Sequence, residues 1–245
     1  MNLPRIIGHR GARTNAPENT LAGIRRAHAE GASWVEFDVK LTKDRVPILI
    51  HDETLERTSN GRGPVRDLSL DSIKLVDAGC PAVFGDRFKG ERIPTLAEAL
   101  DLMLELQMGF NLEVKPCPGR ERETSVAALA LLRQRWPARA PVPIISSFKA
   151  TSLEAARDTA PELPRGYLAE RLETGWLDAV KRLDCTTIHP GHRALTRMQV
   201  KLAKQSGYPV LVWTVNEAPR AIELIGWGVD SLISDVPGAI AAAIA

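Results

Sequence analysis

Trp34-Val35-Glu36-Phe37-Asp38-Val39-Lys40-Leu41 runs into Thr42-Lys43-Asp44-Arg45 and then Val46-Pro47-Ile48-Leu49-Ile50-His51. The first run reads as a buried strand. Alternation along it sends Glu36 and Asp38 to one side and Val35, Phe37 and Val39 to the other. Four residues, 42–45, are too few for a parallel crossover, so 46–51 is an antiparallel return rather than a new parallel strand. With those four as the loop, Leu41 faces Val46 and Glu36 lies opposite His51. Working outward, apolar runs of the same kind recur at 5–9, 110–114, 142–147, 165–169, 186–189, 209–214 and 230–234. Helical patterns separate and follow them at 18–30, 96–107, 121–136, 152–160, 175–183, 196–206, 217–227 and 238–244. Eight strands alternating with eight helices define an α/β chain, a (β/α)8 TIM barrel in a single domain over 1–245. The segment from about 42 to 92, with its turn Ser59-Asn60-Gly61-Arg62-Gly63, is a small capping insertion after the second strand.

Composition narrows the partners. The 245 residues carry 32 Lys and Arg against 30 Asp and Glu, a net charge of +2, and the basic residues are scattered. That balance gives no strong attraction to nucleic acid or an anionic membrane. Cys80, Cys117 and Cys185 have neither disulfide nor zinc spacing and are expected as free thiols. The chain enters its first strand without a charged-then-apolar leader, and no apolar run reaches the roughly 20 residues of a membrane helix. The expected location is the cytoplasm.

Barrel active sites form at the carboxyl ends of the strands. His9, the pair Glu36/Asp38, the pair Glu113/Lys115, Ser147-Phe148, His189 and Trp213 all fall there. Glu36, Asp38 and Glu113 converge without cysteine, a hard oxygen site suited to one divalent cation, Mg²⁺ or Ca²⁺. Arg10 and Lys115 are cations beside it, a guanidinium for bidentate phosphate contact and a point charge. His9 and His51 can hold opposite protonation states near neutral pH. One can take a proton from an attacking oxygen while the other protonates the leaving oxygen.

With His9-Arg10-Gly11, Pro17-Glu18-Asn19-Thr20, Glu36/Asp38, His51-Asp52 and Glu113/Lys115 in place, the chain resembles the glycerophosphodiester phosphodiesterases. The likeness continues through 55–61, Ser146-Ser147-Phe148 and Trp213-Thr214-Val215-Asn216 and covers essentially the whole chain. It is nearest to the cytosolic bacterial enzymes that accompany glycerol-3-phosphate uptake. The resemblance implies metal-dependent hydrolysis of glycerophosphodiesters to sn-glycerol 3-phosphate and an alcohol. It implies His9 and His51 as the catalytic pair, Glu36, Asp38 and Glu113 as metal ligands, and Arg10 and Lys115 as phosphate contacts. The implied partner is a small-molecule substrate, with no stable membrane association, and a homodimer is compatible with this reading.

Other residues carry plainer expectations. Phe148 and Trp213 are substrate-binding candidates as a wall for the glycerol, with packing as the alternative. Trp34 is core and His28 is structural. His189 divides evenly between structure and substrate contact. Glu18 and Asn19 open a helix and are expected to cap it or complement its dipole rather than take part in catalysis. Asp52 orients a neighbour, and Arg13 and Asn15 touch substrate or nothing. A lipid-cleaving relative would want an apolar or basic rim, whereas the insertion is polar. A catalytically silent barrel is disfavoured by the intact histidine pair, and a carboxylate glycosidase by Arg10 and Lys115.

Overall fold

The computed structural model describes residues 3–245. The strands are β1 (Ile6–His9), β2 (Trp34–Leu41), β3 (Pro47–Leu49), β4 (Gly109–Val114), β5 (Ile144–Ser147), β6 (Arg165–Ala169), β7 (Thr187–Pro190), β8 (Leu211–Val212) and β9 (Ser231–Ser234). The helices outside the insertion are α1 (Leu21–Ala29), α4 (Leu96–Glu105), α5 (Glu121–Arg135), α6 (Ala150–Thr159), α7 (Trp176–Arg182), α8 (Arg197–Gln205), α9 (Ala218–Gly226) and α10 (Pro237–Ala243). The parallel order is β7-β6-β5-β4-β2-β1-β9-β8, with β3 off this path as an antiparallel partner of β2. Single bridges Ile188↔Val210 and Gly191↔Trp213 join β8 to β7, so the ring is a closed (β/α)8 TIM barrel. The apolar run at 209–214 thus contributes only two residues of regular ladder and completes the closure through isolated contacts.

Alternation sorts the side chains as expected. Val35, Phe37 and Val39 pack outward with Leu100 and Met103 of α4 and with Leu129 of α5. On the inward side, Ile7, Trp34, Ile144, Leu211 and Ile233 form a separate cluster that closes the barrel floor. Two bare strand positions admit rings here. A Cβ on Gly109 would lie 2.3 Å from the Trp34 ring, and one on Gly166 would lie 2.5 Å from the His189 ring. Trp34 is therefore core. His189 is fully buried, shares a hydrogen bond of 2.9 Å with the Thr187 hydroxyl, and is pushed down to about 3 by burial alone, which keeps it neutral.

The hairpin register differs from expectation by one residue. The pairs are Val39↔Leu49, Lys40↔Ile48 and Leu41↔Pro47, so Leu41 does not face Val46. Thr42 closes the turn instead. Its N–H donates to the Val46 carbonyl at 3.1 Å, and its hydroxyl accepts the Val46 N–H at 2.9 Å. The loop is therefore Lys43-Asp44-Arg45, with Arg45 left-handed at φ 66° as three-residue hairpin loops require. Because a one-residue slip exchanges faces, the expected Glu36 and His51 opposition is lost. The ladder ends where the Ile50 N–H donates to the Asp38 carbonyl, and His51 lies beyond it.

The insertion carries its own apolar cluster of Ile48, Ile50, Leu55, Val65, Ile73, Ala78 and Ile93. It includes two short helices, α2 (Leu70–Lys74) and α3 (Pro81–Phe84). Among the described residues, no helix is long and apolar enough to cross a membrane.

The Trp34 ring occupies the space that a side chain at position 109 would need. Gly109→Ala should therefore cost about 1–3 kcal/mol. Urea unfolding should show a lower midpoint at unchanged slope.

Candidate active site

At the carboxyl ends of the strands, a cavity of about 310 Å³ is lined by His9, Arg10, Glu36, His51, Glu113, Lys115, Phe148 and Trp213. These are eight of the nine residues given catalytic, metal-binding or substrate-binding roles from the sequence. The exception, Asp38, is 1% exposed and lies beneath the cavity surface. Carboxylate oxygens of Glu36, Asp38 and Glu113 lie within 4.8 Å of one another. The parallel register places them together, because Asp38 pairs with Glu113 and His9 with Glu36.

Packing like charges has visible consequences. Burial, and then repulsion from Asp38, raises both Glu36 and Glu113, the latter to about 7. Burial would raise Asp38 as well, but Arg10 and Lys115 hold it below the usual carboxylate range. Arg10 Nε lies 3.2 Å and Lys115 Nζ 3.5 Å from its two oxygens. Lys115 also bonds Glu113 at 3.0 Å, and its ammonium sits 5.4 Å from the centre of the Phe148 ring. Glu36 Oε1 and Asp38 Oδ1 are buried without a hydrogen-bond partner among the described residues. Orphaned hard oxygens, three mutually repelling carboxylates and no nearby sulfur ligand fit a divalent cation.

Glu18 and Asn19 do not cap α1. Thr20 does, its hydroxyl accepting the Gly23 N–H at 3.0 Å. The helix therefore starts three residues later than the sequence pattern indicates, and both polar residues are released to the mouth. Asn19, at φ 55°, accepts the Asp38 N–H at 3.0 Å and donates to Asp38 Oδ2 at 2.9 Å. Glu18 accepts from Arg10 at 2.8 Å and from both terminal nitrogens of Arg57, and pairs with Arg13 at 2.9 Å. Burial would raise Glu18, but Arg57 and Arg10 bring it down to about 2. Arg57 belongs to the insertion and also holds Asp52, which in turn bonds His51 Nδ1 at 2.6 Å. A continuous charge chain thus ties the insertion to the barrel mouth.

His9 is held in the same manner. Its Nδ1 lies 2.6 Å from Asp235, leaving Nε2 toward Glu36 at 3.8 Å. Asn216 fixes Asp235 by donating to Oδ2 at 2.7 Å and accepting its N–H at 2.9 Å. Burial lowers both histidines, with the Asp235 bond opposing it at His9 and Asp38 opposing it at His51. Sequence reasoning missed Asp235. Its only signal was position, one residue past the last apolar run. Phe148 and Trp213 meet edge-to-face at 5.5 Å on the cavity rim, and Trp213 Nε1 donates to the His189 carbonyl. The His189 side chain is absent from the cavity lining. Arg13 reaches the cavity, whereas Asn15 turns away to Glu30 and Arg87.

Fold and mouth together define a (β/α)8-barrel enzyme. The Glycerophosphoryl diester phosphodiesterase family model matches residues 9–239, and the chain belongs to that family. A glycerophosphodiester phosphodiesterase of Caldanaerobacter subterraneus subsp. tengcongensis is 38% identical over 237 residues, covering 95% of this chain and 94% of its own. A Bacillus subtilis glycerophosphodiester phosphodiesterase is 30% identical, with 94% of this chain and 83% of its own aligned. Among solved structures, an Oleispira antarctica phosphodiesterase in complex with the product sn-glycerol-3-phosphate superposes with TM-score 0.95 at 39% identity, covering 99% of this chain and 97% of its own. This chain is accordingly an enzyme that hydrolyses glycerophosphodiesters.

Glu18 is a buried anion that satisfies three arginines. Its folded-state pKa lies below the unfolded value, so its stabilisation is present above about pH 4.5 and is lost as the pH falls toward 2. Glu18→Gln should remove about 3 kcal/mol at pH 7. The deficit relative to wild type should shrink in denaturation curves taken below pH 4.

Proposed function

We propose that the cavity hydrolyses glycerophosphodiesters to sn-glycerol 3-phosphate and an alcohol through metal-assisted, two-histidine general acid–base catalysis. The observation that carries this reading is the buried carboxylate trio with Arg10 and Lys115 at its edge and a histidine–aspartate pair on either flank. The Oleispira antarctica structure, which holds sn-glycerol-3-phosphate, supports the product. Glu36, Asp38 and Glu113 hold one divalent cation, Mg²⁺ or Ca²⁺. When bound, it polarises the phosphoryl group and offsets its developing negative charge.

The chain's own residues do the remainder. Arg10 and Lys115 bind the phosphate oxygens and stabilise charge that grows in the transition state. Arg10 is aimed from two sides, by Glu18 at its guanidinium and by its own N–H on Glu36. With Nδ1 of each histidine committed to an aspartate, Nε2 is the nitrogen free for proton transfer. One histidine removes the proton of the attacking oxygen, and the other delivers a proton to the departing alkoxide. Asp235 and Asp52 are positioning residues that fix the two rings and stabilise each imidazolium while it lasts. Phe148 and Trp213 form an apolar wall for the carbon chain of the glycerol. A dissolved small-molecule substrate and a cytoplasmic location belong to the same reading, and the substrate is supported by the product held in the Oleispira antarctica structure.

Glycerol 3-phosphate release from glycerophosphocholine should stop in EDTA and return with Mg²⁺ or Ca²⁺. The same ions should raise the thermal midpoint of stripped protein, because they relieve repulsion within the trio. Full turnover in metal-free protein would remove the cation from the mechanism.

His9→Ala and His51→Ala should each lower kcat by about 10²–10⁴-fold. The double variant should fall little further, because both groups serve one proton-transfer sequence. His28→Ala should match wild type. Steady-state kinetics with circular dichroism on each variant would decide the matter, and wild-type turnover by either single variant would exclude that histidine.

A further inference from the structure

Lys40 is the next inward-facing residue of β2 after Asp38, and it is only 2% exposed. Its ammonium donates to the Lys115 carbonyl at 2.8 Å. Among the described residues, no carboxylate lies within ion-pairing distance of it. A buried cation is costly unless it is paired and hydrogen-bonded. Elsewhere the chain obeys that rule. Arg165, equally buried, bonds the Asp184 carboxylate and the carbonyls of Asp184, Pro161 and Leu163. Lys40 keeps two of its three donors for something else.

What it faces is a second cavity of about 470 Å³, also lined by Glu53, Thr54 and Lys149. This cavity shares His51, Glu113, Lys115 and Phe148 with the mouth cavity but does not touch His9 or Trp213. Lys149, exposed at the start of α6, likewise has no carboxylate partner among the described residues. Asp52, the acid nearest to His51, is already committed to His51 and Arg57.

In-line displacement at phosphorus places attacking and leaving oxygens on opposite sides. The glycerol is the constant, small arm of the substrate and suits the 310 Å³ cavity beside His9, Phe148 and Trp213. The variable alcohol then departs past His51 into the larger cavity. We propose that this second cavity is the head-group subsite, and that Lys40, assisted by Lys149, binds an anionic group on the leaving alcohol. The inference rests on the function proposed above and adds the chemical class of alcohol preferred. Glu53 stands on the same cavity wall and can receive an ammonium, so a head group with both charges is accommodated.

Glycerophosphoserine and glycerophosphoethanolamine differ by one carboxylate and share the ammonium, which makes them the matched probes. Wild-type holoenzyme should favour the serine ester by about tenfold in kcat/KM, expressed mainly in KM. Lys40→Met, which keeps the volume and removes the charge, should bring the ratio close to one, and Lys40→Arg should keep most of it. Lys149→Gln, at an exposed position with little risk to folding, should lower the ratio about threefold. The thermal midpoint of Lys40→Met should equal or exceed that of wild type, since an unpaired buried charge has been removed. Equal rates on both esters in wild type, or an unchanged ratio in Lys40→Met, would overturn the subsite. So would a loss of stability in Lys40→Met with the ratio intact, which marks a structural lysine. If neither ester is cleaved, the underlying reading falls and the subsite with it.

Discussion

Three carboxylates buried within 4.8 Å of one another form the constraint around which the barrel mouth is organised. Left alone they repel, and the folded chain offsets that repulsion from several directions. Arg10 and Lys115 approach Asp38 from opposite oxygens, while Asn19 grips it by side chain and main chain. The compensation is uneven. Asp38 stays ionised while burial and mutual repulsion push Glu36 and Glu113 up, leaving a site with two orphaned oxygens. A cluster compensated only in part is poised to take a cation, as a fully satisfied one would not be.

The cations recruited for this purpose need holding in turn, and that requirement propagates outward. Arg10 is held by Glu18, and Glu18 also receives Arg57 from the insertion. Arg57 steadies Asp52, and Asp52 orients His51. The insertion is therefore coupled to the chemistry by electrostatics as well as by its own apolar cluster. Arg57 and Arg10 together are why Glu18, outside the mouth-cavity lining, is held so far below its usual range. On the opposite flank, Asp235, the residue just past β9, holds His9 at the end of β1, so the first and last strands of the barrel share one histidine–aspartate pair.

Much of this was legible in the sequence, and for local reasons. Period-two alternation in 34–38 and 110–114 placed Glu36, Asp38, Glu113 and Lys115 on the inward side, because a strand must send successive side chains to opposite faces. The number of alternating segments set the barrel, since helices between parallel strands leave few other closed arrangements. Trp34 as core and Asp52 as an orienting residue were also readable. The hairpin register was not. It turned on whether Thr42 belonged to the strand or to the loop, and that is decided by its own hydroxyl and a left-handed Arg45. Capping misled in the same way, because Asn19 and Thr20 are both acceptable caps, Glu18 suits the start of a helix, and only the fold shows which one is needed elsewhere.

What the sequence determined by itself was which residues could meet, through the periodicity of each strand and its end nearest the mouth. Tertiary structure alone decided with whom they pair. Asp235 lies 226 positions from His9, Arg57 lies 39 from Glu18, and His189 is sealed within the barrel by a missing side chain at Gly166. Local pattern carries no record of such contacts. They arise when the ring closes and brings strand ends from both extremes of the chain to one mouth, where burial compels every charge to find a partner or wait for one.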